Sequence, residues 1–242
     1  MPSTSITARV TPIPSPPLVT PPSRFRQLES LAAALLVSLL LAAAGCGDGG
    51  GGRDGVDLTV DRDAIVASLA LDSRSFAADD CSVAEGSVGA PGVRRLLRFD
   101  AIVVNRGTRA LVLGDPAHPL PPFSAADFEF SPCHGHFHFR DFADYELRGP
   151  AGAVAFGHKQ AFCIRDSLPY GPEPSAGYDC AFQGLSPGWG DDYSAALDGQ
   201  WIDVTGVPAG DYQVVVTVNP AGRIREHGDA PNVVTVPVHL PE

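Results

Sequence analysis

The chain has 242 residues, of which 44% are hydrophobic, and this is enough for one domain with a buried core. Its formal net charge of -11 argues against a nucleic-acid-binding protein, because phosphates would repel so acidic a surface. The same charge favours solubility and would attract cationic small molecules or basic peptides.

Residues 1–45 predict a leader rather than part of the fold. The apolar run LAAALLVSLLLAAA, residues 31–44, matches a signal-peptide core and is short for a membrane span. Small residues stand directly before Cys46, a pattern that resembles a bacterial lipoprotein signal with Cys46 as the lipidated first residue; plain cleavage is the alternative. Residues 46–55 predict a Gly-rich tether, and 56–242 the folded domain. We therefore expect an exported protein, lipid-anchored on the bacterial cell envelope or secreted.

Short extended segments separated by turn signals fill the rest of the chain. Residues 61–70 are the best helix candidate, and residues 167–200 show little periodicity, which is typical of a functional or disordered stretch. The segments predicted as strands lie at 94–104, 110–114, 136–148, 153–166, 208–220 and 232–240. This spacing predicts an all-β fold, a β-sandwich with long irregular loops and little helix.

Cysteine usage agrees with export, because disulfides form in oxidising compartments. The chain has five cysteines, and the predicted lipidation accounts for Cys46. The remaining four are Cys81, Cys133, Cys163 and Cys180. Their number alone allows three pairings.

Three of the seven histidines stand at alternate positions within CHGHFHF, residues 133–139. They are His134, His136 and His138. On a strand they would share one face, while Phe137 and Phe139 would point to the core. Three imidazoles with an open position suit a catalytic Cu or Zn ion, although a solvated edge-strand face is the alternative. The outer Cα atoms of a straight strand would be about 13 Å apart, so the segment must curve, and Gly135 would help.

The single lysine, Lys159, stands in the mainly apolar segment FGHKQAFC. An ammonium group is costly to bury without a purpose, and a lysine that must act as a nucleophile would be kept in such a place. A strong bias towards arginine elsewhere in the chain leaves accident as the alternative. The isolated His118, His227 and His239 are interpreted as ordinary surface residues.

Several motifs in register resemble the catalytic domain of the lysyl oxidases, from about residue 56 to the C-terminus. They are CHGHFHF, DYEL, GHKQAFC, QGLSPGWGDDY and DGQWIDVTGVPAGDYQVVVTVNP. The resemblance implies a copper- and quinone-dependent amine oxidase. Such an enzyme converts primary amines, either peptidyl lysine or small amines, to aldehydes, and O₂ is reduced as ammonia and hydrogen peroxide are released.

The resemblance also assigns roles to residues of the site. The three alternating histidines fall on the copper ligands of the family. Lys159 and Tyr193 fall on the two residues that form its lysine tyrosylquinone cofactor. The base that removes a substrate proton should be a carboxylate with a raised pKa. Asp191 and Asp192 are both candidates, and Asp191 aligns better with an acidic position of the family.

Two disulfides are implied in the same way. The family pairs the cysteine before the histidines with an upstream cysteine, which implies Cys81–Cys133. It pairs the cysteine after the lysine with one before the GLSPG motif, which implies Cys163–Cys180. The second bridge closes a loop of roughly 17 residues, for which chain entropy suggests about 3 kcal/mol of stabilisation.

Some members of the family bind calcium near the ends of the domain. The residues here that match are Asp57 with Leu58, Glu226 and Asn232, whereas Gly228 and Pro231 depart from the pattern. The resemblance thus suggests calcium as a further cofactor, and a solvated acidic loop is the alternative.

Two other functions compete with the amine oxidase. One is a non-catalytic copper- or zinc-binding surface lipoprotein, such as a carrier or sensor, which needs the histidines but neither Lys159 nor Tyr193. The other is a three-histidine zinc hydrolase, which lacks an obvious catalytic Glu beside the ligands. The expected partners are therefore an amine or lysine-containing peptide, O₂ and, through Cys46, the membrane, with no nucleic acid.

Overall fold

A computed structural model describes residues 54–157, 162–172 and 175–242 of the chain. Within them the first strands are β1 (Leu58–Val60), β2 (Ala70–Phe76), β3 (Gly92–Arg98), β4 (Ala101–Asn105), β5 (Leu111–Asp115), β6 (His118–Pro119), β7 (Phe128–Ser131) and β8 (His136–Phe139). The later strands are β9 (Ala143–Gly149), β10 (Gly152–Gly157), β11 (Leu168–Pro169), β12 (Gln183–Leu185), β13 (Trp189–Tyr193), β14 (Trp201–Asp203), β15 (Gly210–Val218) and β16 (Val233–Leu240). The helical segments are α1 (Arg62–Ser68), α2 (Cys81–Ala84) and a single 3-10 turn, Ala125–Asp127. The predicted all-β fold with little helix is confirmed.

The strands form several antiparallel sheets. Two have four strands, in the orders β1-β4-β13-β11 and β10-β9-β15-β16. Two have three strands, β12-β5-β6 and β14-β3-β2, and β7 pairs with β8 in a hairpin. The strands β8 and β13, which carry the site residues, belong to different sheets and are brought together by the tertiary fold.

A continuous apolar core holds these sheets together. The strand β4, AIVVN, is buried at all five positions because it lies between β1 and β13 in the middle of its sheet. The valines Val214 and Val216 of β15 are fully buried as well. Burying a side chain of this kind stabilises the fold by about 1.5–3 kcal/mol. Since β13 pairs directly with β4, its last residue, Tyr193, is anchored opposite Ala101.

The one helix expected from the sequence is present. The carboxylate of Asp61 caps α1 by accepting hydrogen bonds from the backbone N–H groups of Asp63 and Ala64, at 2.9 and 3.1 Å. Ile65 is the buried residue of the helix. This confirms the helix predicted within residues 61–70.

Two predicted strands are each broken into two. The segment 94–104 breaks because Asp100 turns out of the ladder. Its backbone N–H donates to the hydroxyl of Ser68 at 2.7 Å, and its carboxylate accepts the Ala195 N–H at 2.6 Å. The segment 136–148 breaks between β8 and β9, where Asp141 has a left-handed φ of 53°.

The later boundaries also differ from the prediction. The strand predicted at 153–166 ends at Gly157, and beyond the gap in the described residues Phe162 makes only an isolated bridge with Phe139. The stretch 167–200 was predicted to be irregular. This prediction was wrong in part, since the stretch contains β11, β12 and β13. The apolar residues of this stretch follow no strand period, and pairing sets its strands: β12 pairs with β5, β13 with β4, and β11 with β13.

Both disulfides implied by the resemblance are formed, Cys81–Cys133 and Cys163–Cys180. The first ties α2 to the residue directly before the histidines. The second closes a 17-residue span that ends close to β12. In the described part of the chain, no helix combines the length and apolarity that crossing a membrane requires. The predicted leader, Cys46 and all but the end of the tether lie outside the described residues.

Candidate metal centre and buried tyrosine

The three histidines converge at the end of the β7–β8 hairpin. The Nδ1 atom of His134 lies 3.3 Å from Nε2 of His138, which lies 3.0 Å from Nε2 of His136. One ring nitrogen of each residue lies within 4.8 Å of the others. Nitrogen ligands at about 2.0–2.1 Å around a tetrahedral ion would stand about 3.3 Å apart, so this donor set fits a metal with one open position.

The turn before β8, rather than a straight strand, allows this convergence. Only His136 and His138 lie on β8, and His134 precedes it. Gly135 has a φ of 72°, which a residue with a side chain rarely adopts, and its N–H donates to the carbonyl of Ser131 at 2.8 Å. The predicted role of Gly135 in curving the segment is confirmed, whereas the placement of all three histidines on one strand was wrong.

The neighbours of the histidines hold them in place. The hydroxyl of Ser131 accepts the His134 N–H at 3.1 Å and donates to the Glu85 carboxylate at 2.6 Å. A second oxygen of Glu85 lies 3.7 Å from Nε2 of His134. On the opposite face, Phe139 is buried in the core as predicted, and Phe137 packs edge-on against the exposed Phe130.

Tyr193, at the end of β13, is the second part of the site. It is 6% exposed, and its ring packs against that of Phe162 with centroids 4.0 Å apart. Its hydroxyl donates a short hydrogen bond to the carboxylate of Asp191 and lies 3.4 Å from the Cys163 carbonyl. Asp191 and Tyr193 can meet because alternate residues of a strand share a face.

Asp191 is buried and receives hydrogen bonds from a separate segment. The backbone N–H of Arg165 donates to Oδ2 of Asp191 at 3.2 Å, and the hydroxyl of Ser167 donates to Oδ1 at 3.4 Å. Burial raises the pKa of Asp191 to about 7, against the lowering effect of the Tyr193 hydroxyl and the other donors. Burial and the neighbouring Asp191 also raise the pKa of Tyr193 well above its ordinary value.

Asp192, the other candidate base, has a different setting. Its backbone N–H donates to the hydroxyl of Ser167 at 2.7 Å, and its side chain is partly exposed. Burial, and then the nearby Asp100, raise its pKa. Since Asp191 is the carboxylate bonded to Tyr193, the geometry separates two residues that the sequence left as alternatives.

The histidines and the Tyr193–Asp191 pair line one cavity of about 410 Å³. Its described wall also includes Phe162, Arg165, Asp192, Leu197 and Asp198. Sequence reasoning missed three residues of the site. Phe162 and Arg165 lie within two positions of the disulfide-bonded Cys163, and Ser167 donates a hydrogen bond to Asp191. Their closeness in sequence to Lys159 was a signal that could have drawn attention to them. Lys159 itself lies outside the described residues. His118, His227 and His239 are exposed, as expected.

The residues predicted for calcium come together at the start of β1. Both carboxylate oxygens of Glu226 accept hydrogen bonds: Oε2 from the Leu58 N–H at 2.7 Å, and Oε1 from the side-chain amide of Asn232 at 2.6 Å. Gly228 packs so closely on Asp57 that a Cβ atom there would lie 1.8 Å from Cγ of Asp57. This cluster fits calcium poorly, because donor groups cover Glu226 and there is no room for an acidic side chain at position 228. Calcium binding stays a prediction.

The same hydrogen bonds predict that Glu226→Gln lowers stability. Glu226 joins β1 to the C-terminal segment and also accepts the side-chain amide of Asn219 at 2.8 Å. Removing its charge should lower the free energy of unfolding by about 1.5–3 kcal/mol, measured by urea denaturation. Glu129→Gln, which removes only a surface pair with Arg140, should change it by less than about 1 kcal/mol. Equal effects of the two substitutions would contradict this role of Glu226.

The fold and the site together define a class: an all-β protein with a three-histidine candidate metal centre beside a buried tyrosine–carboxylate pair. Sequence comparison adds that a profile of the family described as lysyl oxidase matches residues 57–241. The chain belongs to the lysyl oxidase family.

Individual relatives agree with this assignment. Human lysyl oxidase homolog 1 is 39% identical over 151 residues, which are 61% of this chain and 25% of that protein. Protein-lysine 6-oxidase of Sus scrofa is 39% identical over 145 residues, 58% of this chain and 55% of that protein. The human protein-lysine 6-oxidase is 34% identical over 191 residues, 74% of this chain and 44% of that protein. The chain thus spans between a quarter and about half of the length of these relatives.

Proposed function

We propose that this protein is a copper- and quinone-dependent amine oxidase. It would convert a primary amine, O₂ and water to an aldehyde, ammonia and hydrogen peroxide. The observation that carries the proposal is the cavity in which three convergent histidines meet a buried tyrosine bonded to a carboxylate. Family membership and the relatives named protein-lysine 6-oxidase support the same reaction.

Each site residue has a role in this proposal. The three histidines hold copper, to which an all-imidazole donor set is well suited. Lys159 and Tyr193 form the lysine tyrosylquinone. When bound, copper would supply the oxidation of the Tyr193 ring by O₂, and the quinone would accept two electrons from the amine. Phe162 keeps the Tyr193 ring in position by packing against it.

Asp191 is the proposed general base that takes the α-proton of the substrate. A carboxylate with a pKa near neutrality combines a useful ionised fraction with sufficient basicity. Burial supplies that shift here, and the N–H of Arg165 fixes the carboxylate. Asp191 can serve the substrate because it lines the same cavity as the histidines.

This role predicts a pH dependence. Because the folded pKa of Asp191 lies above its ordinary value of 3.8, the base is protonated at low pH, and kcat/KM should rise as pH increases through about 7. Asp191→Asn should lower kcat/KM by about 10²–10⁴-fold and remove the inflection. The measurement is a pH profile of peroxide release with a small primary amine. If Asp192→Asn removes the inflection and Asp191→Asn keeps it, the base is Asp192.

The proposed function is tested first by peptide mapping. Protein matured with copper and air should contain a cross-linked peptide joining Lys159 to Tyr193, together with a quinone stain. Lys159→Arg, matured in the same way, is the matched control and should contain neither. No cross-link in folded, copper-loaded, oxygen-exposed protein would overturn the proposal and favour the non-catalytic metal-binding lipoprotein.

Substrate and location belong to the proposal as well. The charge of -11 favours capture of cationic amines, including lysine-containing peptides. Export and a lipid anchor on Cys46 stay predictions, and a diacylglyceryl mass on that residue would support them. Calcium is not part of the proposal, because hydrogen-bond donors cover Glu226; an unchanged melting temperature in a titration with CaCl₂ would agree with that, and a raised one would contradict it.

A further inference from the structure

We infer that Asp191 has an earlier task than substrate chemistry: it receives the phenolic proton of Tyr193 when a metal ion occupies the histidine cluster. This rests on the proposed metal site but not on turnover. The step forms an O–H bond on Asp191 and breaks that of Tyr193. The proton crosses an existing hydrogen bond, the pair keeps its net charge, and no oxidant or solvent molecule takes part.

The position of the hydroxyl carries the argument. The phenol of Tyr193 has one proton, and two acceptors stand near it among the described residues: the Asp191 carboxylate, at short range, and the Cys163 carbonyl at 3.4 Å. Asp191 is the one of the two that can bind a proton. The Phe162 ring packs against the tyrosine, and the Asp191 carboxylate already accepts the phenolic hydrogen bond, so the transfer needs no intervening water molecule.

The surroundings of Asp191 prepare it to accept. The Arg165 N–H and the Ser167 hydroxyl donate to the carboxylate and hold its orientation. The Tyr193 hydroxyl donates to Oδ2, the same oxygen that accepts the Arg165 N–H. After transfer, the new O–H of Asp191 can donate back to the phenolate. A purely structural tyrosine–aspartate bond would also be buried, but it would have no reason to line a cavity with three convergent histidines.

Transfer needs the cation. Burial and the Asp191 charge raise the pKa of Tyr193 well above its ordinary value, so the phenol keeps its proton in metal-free protein. The positive charge of Arg165 favours the ionised form of both Tyr193 and Asp191, so it does not by itself move the proton from one to the other. A divalent ion at the histidines would add a larger charge to the same cavity and lower the pKa of the phenol further.

The test uses Zn²⁺, which binds imidazoles but is redox-inert, so that no cofactor forms. Metal-free full-length protein is titrated with Zn²⁺ without O₂ at about pH 8.5, where a group with a pKa of about 7 is mostly ionised. We expect a tyrosinate difference spectrum that Tyr193→Phe abolishes. Asp191→Asn should reduce it at least tenfold, while Asp192→Asn, which removes a neighbouring charge, should retain it.

A second measurement covers the case in which Asp191→Asn does not fold. Infrared difference spectra of the wild-type protein should gain a protonated-carboxylic-acid band on Zn²⁺ binding, and that band should be absent in Tyr193→Phe. A tyrosinate signal of full size in Asp191→Asn, or no signal in zinc-loaded wild-type protein, overturns the inference. Failure of Zn²⁺ to bind overturns it together with the metal site. A tyrosinate signal without any later Lys159–Tyr193 cross-link would overturn the proposed function alone.

Discussion

Tyr193→Phe should abolish amine oxidation, with kcat/KM at least about 10³-fold lower, while the fold is kept. The phenyl ring can still pack on Phe162, but the oxygen at which oxidation of the ring would begin is gone. Loss of the hydrogen bond to buried Asp191 should cost about 1–3 kcal/mol of stability. Peroxide release and the melting temperature, measured on copper-loaded protein exposed to air, check both parts.

Tyr212→Phe is the matched control for this substitution. Its hydroxyl donates to the Pro208 carbonyl at 3.0 Å in an exposed setting, and the residue lines no part of the cavity that holds Tyr193. This variant should therefore keep full activity and should still form the cross-link between Lys159 and Tyr193. More than a tenth of wild-type activity in Tyr193→Phe would contradict the assignment of Tyr193 to the cofactor.

His138→Ala is expected to have the largest effect on metal binding. His138 is 6% exposed and lies between the other two histidines, with its Nε2 atom within 3.3 Å of a nitrogen of each. Loss of a direct ligand should weaken copper binding by more than the roughly 10–100-fold caused by loss of an outer-shell partner. Competition with a chelator measures the affinity, and both the cross-link and amine oxidation should disappear.

The control for this experiment is His239→Ala. His239 is exposed, pairs with Asp211 at 2.7 Å and is remote in sequence from the cluster. It should bind copper with wild-type affinity and retain activity. If His138→Ala folds and still binds copper as tightly as His239→Ala does, the three histidines do not form the metal site.

The fold class and much of the strand pattern could be predicted from local sequence. The β15 and β16 segments are rich in valine, which favours strands, and their predicted positions agree with the structure within two residues. The prediction failed where a polar side chain serves a distant partner. Asp100 interrupts a long apolar run because its groups bond to Ser68 and Ala195, and neither partner is visible in local periodicity.

The candidate site was predicted only in part, for a related reason. Alternation brought the histidines to attention, but their convergence depends on the left-handed backbone of Gly135 in a turn. The strand β13 has few apolar residues, and it forms because it pairs with the edge of the buried β4 that β1 does not occupy. Pairing of this kind depends on residues about ninety positions away in the chain.

By itself the sequence determined the all-β class, the helix at Asp61, the histidine cluster and, through resemblance to a family, the disulfide pairs. These features depend on short spacings and on motifs that are local to the chain. The tertiary structure decided which carboxylate, Asp191 or Asp192, bonds to Tyr193, and that Glu226 is covered by hydrogen-bond donors. Burial and hydrogen bonding of a single side chain are set by segments far apart in sequence, so they appear only when the chain is folded.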